Sequence, residues 1–67
     1  MDYYTRKERA ITYIDKLLKI KEPVSIPAIK LLIIQKYALS PKFVDDYLEL
    51  KEELSQVTIL NKEVCLK

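Results

Sequence analysis

The side-chain period of this chain changes once, near residue 55, and that change governs what it can fold into. Up to Leu54 the apolar residues recur at three- and four-residue steps; from Gln56 they alternate. A period near 3.6 belongs to a helix and a period of 2 to a strand. A mostly helical chain must therefore close with a β-hairpin. At 67 residues there is room for one core, and a chain this short buries a modest share of its surface.

The alternation sets the hairpin register. Val57 and Ile59 alternate with Gln56, Thr58 and Leu60, and Val64 and Leu66 alternate with Glu63, Cys65 and Lys67. A two-residue turn at Asn61 and Lys62 pairs Ile59 with Val64 and Val57 with Leu66, and turns all four to the core. The strands are expected at about 56–60 and 63–66. Asn61 tolerates the left-handed backbone such a turn demands and Lys62 does so less well, so a longer loop is the alternative.

Three helices precede the hairpin. Over about 4–21, Tyr4, Ile11, Ile14, Leu17 and Leu18 form one apolar stripe, with Arg6, Lys7, Arg9, Lys16, Lys19 and Lys21 mostly off it. Pro23 stops this helix, because it disfavours helical backbone at Glu22 and has no N–H to donate. Residues 24–26 form a short β-prone segment between two prolines. Pro27 suits the first turn of a second helix, about 27–37, capped by Ser25 or the residue after it. Its core stripe is Ile29, Leu32, Ile33 and Tyr37, and Leu31 and Ile34 lie off that stripe. These two are expected either to be buried in a three-helix core or to stay exposed as a dimer or partner contact. Ala38 and Leu39 make the next turn. Ser40 caps a third helix, about 41–54, with Pro41 at its first position. Phe43, Tyr47, Leu50 and Leu54 form its stripe, widened by Val44 and Leu48.

Composition removes several kinds of chemistry. There is no glycine, so no phosphate-cradling loop and no dinucleotide-binding fingerprint can be built. There is no histidine, which excludes a Ser-His-Asp triad and a finger-type zinc site. The single cysteine, Cys65, forms no intrachain disulfide and reads as a small hydrophobe on a strand. No enzyme activity, no cofactor and no metal are expected. The longest apolar run, Leu31 to Ile34, is one helical turn, too short to span a bilayer. The charged start lacks the apolar segment of a secretory signal. A cytoplasmic protein with no membrane contact is expected. Abundant lysine, glutamate and isoleucine lean towards a thermophile.

The order helix, helix, turn, helix, hairpin resembles the winged helix-turn-helix superfamily, in the compact form common among small archaeal and archaeal-virus proteins. The residues that carry the resemblance are VSIPAIKLLIIQKYALSPKFVDDYLEL followed by VTILNKEVCL, and it covers about residues 8–67. KYALSPKFVDDYL looks like the family's turn and recognition helix. The resemblance implies an α+β, mostly α domain: three helices, a C-terminal hairpin wing, and a short strand near residues 24–26. It implies that the third helix enters the major groove and that the hairpin tip touches the DNA backbone. Carried over, Ser40, Lys42, Asp45, Asp46 and Glu49 would face DNA, with Lys62 at the wing tip. Lys42 would bond guanine or a phosphate, and Ser40 a phosphate. The family often has glycine where Ala38 stands and another near Ser55. Here these turns must use other geometries or carry strain.

Charge runs against the usual function. The third helix carries Asp45, Asp46, Glu49, Glu52 and Glu53 against Lys42 and Lys51, in a chain whose net charge is only +2. Two functions are expected to compete. One is a small DNA-binding protein, a transcriptional or genome-maintenance regulator, that contacts duplex DNA through Lys30, Lys36, Ser40, Lys42 and Lys62. A homodimer would double those contacts. The alternative is a protein-interaction subunit on the same frame within a larger archaeal assembly. It would dock through Asp45, Asp46 and Glu49 on a basic partner, or through Leu31 and Ile34 on an apolar one. In a minor third reading, Tyr3, Tyr4, Arg6, Lys7 and Arg9 stack on and neutralise single-stranded nucleic acid. Its counterpart is a frayed helix start that packs Tyr4 on the core.

Overall fold

A computed structural model describes residues 2–20 and 22–67 of the chain. Helix α1 runs Tyr3–Leu18, strand β1 Val24–Ser25, helix α2 Ile26–Tyr37, helix α3 Pro41–Glu53, strand β2 Val57–Leu60 and strand β3 Glu63–Leu66. Each helix has a side-chain cap. Asp2 accepts from the Thr5 N–H at 2.8 Å, Ser25 from Ala28 at 3.4 Å and Ser40 from Lys42 at 3.2 Å. Each bond satisfies a backbone donor that the first turn leaves free. The Thr5 N–H also holds the Asp2 carboxyl below the usual carboxylate range.

The sheet is antiparallel, in the order β1-β3-β2. Ile59 pairs with Val64 and Val57 with Leu66, the register expected from the alternation. On the other side of β3, Val24 pairs with Val64 and Ser25 with Glu63. The result is a winged-helix-like layout of three helices and a three-stranded sheet. Ala10, Ile14 and Leu18 of α1, Ile29 and Ile33 of α2, Val44 and Leu48 of α3, Val57, Val64 and Leu39 form its buried core. Ile59 and Leu66 pack against that core from its margin.

Three expectations need correction. Helix α1 ends at Leu18 rather than near residue 21, and residue 21 itself lies outside the described residues. Pro23 has no N–H to offer the carbonyl of Lys19 four residues back, so the helix closes early. Tyr4 is 76% exposed and off the core. Stepping back four residues from the buried Ala10 leads to Arg6, not Tyr4. Arg6 reaches across instead, and its Nη1 donates to the carbonyls of Tyr37 and Ala38 at 3.3 and 3.4 Å. On α3 the buried pair is Val44 and Leu48, while Leu50 and Leu54 are 52% and 58% exposed. The helix packs on α2 and β2, which turns its 44–48 side inward and its 43–47–50 side towards α1.

The chain builds its turns without glycine. Ala38, Ser55, Asn61 and Lys62 all have positive φ, between 53° and 63°. Ala38 donates its N–H to Ile34, a single left-handed stop for α2. Ser55 donates to Glu52 and Gln56 to Lys51, the paired bonds of a Schellman end for α3. Asn61 and Lys62 form the two-residue hairpin turn, so the longer loop is not used. The geometries are those of glycine, held by residues with a Cβ.

Candidate nucleic-acid interface

Ion pairing sorts the charges of the three helices. Asp45 of α3 meets Lys30 of α2 at 2.9 Å, and Asp15 of α1 meets Lys51 of α3 at 3.2 Å. Asp15 also accepts from the Tyr47 hydroxyl at 2.7 Å, and the Lys51 ammonium lies 5.3 Å from the Tyr47 ring centre. Burial, reinforced by the bond to the Asp15 carboxylate, holds the Tyr47 hydroxyl above the ordinary tyrosine range. In the α1–α3 seam each helix contributes a charge of its minority sign. The majority signs are left outside: acidic on α3, basic on α1.

The outer face of α3 follows from this. Asp46 and Glu49 are exposed beside Asp45, with Glu52 and Glu53 in the next turn. Lys42 is the one cation on that side of the helix. It is exposed at the α3 N-terminus, next to the Ser40 cap. Lys62 is exposed in the hairpin turn, and its carbonyl accepts from the Ile26 N–H at 2.9 Å. That bond fixes Lys62 beside the start of α2, whereas Ser40 and Lys42 follow its end. Twelve helical residues separate the two places, about 18 Å along the axis.

The remaining predicted contacts divide in the same way. Lys30 is tied to Asp45 and is no free cation. Lys36 points to the seam with α1, where its ammonium sits 5.0 Å from the Tyr13 ring centre. Leu31 and Ile34 are 55% and 42% exposed, so the buried alternative for these two does not hold. With the exposed Pro27 they lie at i, i+4 and i+7 on the outer face of α2.

Two surface features were not singled out from the sequence. One is an open groove of about 710 Å³ between α1 and α3, walled by Tyr3, Ile11, Phe43, Tyr47 and Leu50 and rimmed by Lys7. The Lys7 ammonium lies 5.5 Å from the Tyr3 ring and 5.8 Å from the Phe43 ring. The other is a shallower depression on the far side of α1, lined by Glu8, Arg9, Thr12, Tyr13, Lys16 and Tyr37. Tyr13 and Tyr37 meet edge to face there, 6.2 Å between centres, with Lys36 over the first ring. The seven-residue spacing of Arg9 and Lys16 was a legible signal for one basic stripe. The arrival of Lys36 from another helix was not.

Fold and surface together define a small domain of winged-helix-like layout with a charge-polarised exterior. No protein-family model matches the chain, and no curated protein or solved structure matches it. No helix among the described residues is long and apolar enough to cross a membrane.

Proposed function

We propose that the protein binds duplex DNA, as a winged helix-turn-helix regulator of transcription or genome maintenance. The observation that carries this reading is the layout: α2, the turn 38–40 and α3, followed by a hairpin whose tip is pinned beside the start of α2. In that layout the exposed Ser40, Lys42 and Lys62 stand at two separate points from which phosphates can be reached. The acidic face of α3 opposes deep insertion into a groove, so backbone contact rather than base reading dominates the affinity. A titration against random-sequence duplex DNA tests this. Binding at low salt that falls steeply towards physiological salt is expected. Absence of binding at low salt removes the reading.

A second reading is favoured by a separate observation, the uncovered apolar row Pro27, Leu31 and Ile34 on α2. In this reading the domain is an interaction subunit that docks this row, or Asp46 and Glu49, on another protein. Changing Leu31 and Ile34 to aspartate leaves the fold intact by circular dichroism, because neither side chain is in the core. It also abolishes any self-association or partner binding seen by light scattering. Association that survives the change rules out this row as the interface.

A further inference from the structure

We infer that the principal phosphate-binding surface of the protein is the outer face of α1, formed by Arg9 and Lys16 together with Lys36 of α2, and not α3. This rests on the DNA-binding reading above and names the surface that would serve it.

The pairing and surroundings of the helix cations support the assignment. Lys30 and Lys51 are neutralised by carboxylates at 2.9 and 3.2 Å. Lys7 is half-buried in the groove that faces α3, away from Arg9 and Lys16. Lys42 stands on a helix whose outer face is otherwise acidic. Arg9, Lys16 and Lys36 are all exposed, and none is in an ion pair among the described residues. Lys36 is held by the face of Tyr13, a contact that orients an ammonium without cancelling its charge. Glu8 is the one acid lining this depression.

Geometry makes the three cations one surface. Arg9 and Lys16 are seven residues apart, two helical turns, so they lie on one side of α1, about 10 Å apart along the axis. Tyr13 lies between them, and Lys36 sits over it. Ile11 and Lys7 line the opposite, α3-facing groove, so the basic surface looks away from the acids of α3. A polyanion approaching the protein is steered to α1 and repelled from α3. The occupant this charge pattern fits is the phosphate backbone of duplex DNA, where each cation displaces a condensed counterion.

The test compares two variants of the full chain, Arg9→Ala/Lys16→Ala/Lys36→Ala and Lys42→Ala/Lys62→Ala, by fluorescence anisotropy on random duplex DNA across a salt series. Circular dichroism checks that both remain folded. The triple variant is expected to lose about tenfold or more in affinity at low salt and to flatten the salt slope by about 3. The double variant is expected to keep most of the binding. Full binding by the triple variant with loss in the double variant overturns the inference and leaves the DNA-binding reading standing. Absence of duplex binding by the unaltered protein overturns both. Unchanged DNA binding in the triple variant, with loss of self-association by light scattering, would assign this surface to the acidic α3 of a second copy and also overturn the inference.

Discussion

Helices α1 and α3 are built alike on the inside and oppositely on the outside. Each presents buried apolar residues four apart to the same core: Ala10, Ile14 and Leu18 on one, Val44 and Leu48 on the other. Each sends one minority charge across the gap, Asp15 from α1 and Lys51 from α3, and these meet. What remains for solvent on α1 is Arg9 and Lys16 with one acid, Glu8, and on α3 it is Asp46, Glu49, Glu52 and Glu53 with one cation, Lys42. The inner likeness comes from the hydrophobic effect, which is blind to charge. The outer difference costs the fold little, because exposed charges contribute weakly to stability. The outer faces are therefore free to be set by partners, and the inner faces are not.

The inner likeness gives the largest expected effects. Ile14→Ala and Leu48→Ala each remove a fully buried side chain and should cost about 2–5 kcal/mol. In a domain this small either loss approaches total stability. Leu50→Ala, on the exposed side of α3, should cost less than about 1 kcal/mol. Urea unfolding of the three variants decides it. Equal losses at Leu48 and Leu50 would mean that α3 turns both residues to the core in solution.

The outer difference is tested by reversing it. Asp46→Lys/Glu49→Lys makes α3 resemble α1 in charge while leaving the core untouched. Duplex affinity at low salt should rise on the order of tenfold, because two repulsive charges become attractive. Unfolding midpoints should barely move. Weaker DNA binding in this variant would mean that the acids themselves read bases, for instance by accepting from cytosine.

The bridge between the two helices has a pH signature. The Tyr47 hydroxyl ionises at higher pH in the folded chain than its ordinary value of 10.0. Above that value the unfolded chain loses a proton that the folded chain keeps. The stability from this group is therefore constant below about pH 10 and declines above it. Tyr47→Phe should lower stability at pH 8 by about 1 kcal/mol through loss of the bond to Asp15. It should also flatten the decline above about pH 10. An unchanged alkaline limb would mean that Tyr47 does not link the helices in solution.

These contrasts also show what a sequence of this kind discloses. The hairpin register was legible because a strand has two faces and only one choice turned Val57, Ile59, Val64 and Leu66 to the core together. The stop at Tyr37 and the restart at Ser40 were legible because caps are local. The buried side of α3 was not. Phe43, Val44, Tyr47, Leu48, Leu50 and Leu54 spread over nearly half the helix circumference, and packing against α2 and β2 chose among them. The candidate interface was half legible. Arg9 and Lys16 share a stripe by spacing alone, but Lys36 joins them through a contact between helices distant in sequence. The pairings that silence Lys30 and Lys51 are equally non-local.

The smallest expected effect concerns how the two helices end. Helix α1 leaves through Lys19 in ordinary helical backbone, φ −62°, whereas α3 must turn through Ser55 at φ 60°. A residue with a Cβ pays about 1–2 kcal/mol for that left-handed position. Glycine avoids most of this but adds freedom to the unfolded chain, which returns about 0.4–1 kcal/mol. Ser55→Gly should thus stabilise by about 0.5–1 kcal/mol and raise Tm by about 4–8 °C per kcal/mol. Lys19→Gly, at the α1 exit, should destabilise, because no left-handed strain is there to relieve. Asn61→Gly should gain less than Ser55→Gly, since asparagine already tolerates the left-handed region. Differential scanning calorimetry of the three variants ranks them. A Ser55→Gly variant no more stable than the parent would mean that the hydrogen bonds from Ser55 to Glu52 and from Gln56 to Lys51 fully offset the strain. The left-handed serine at the end of α3 would then be neutral rather than a stored cost.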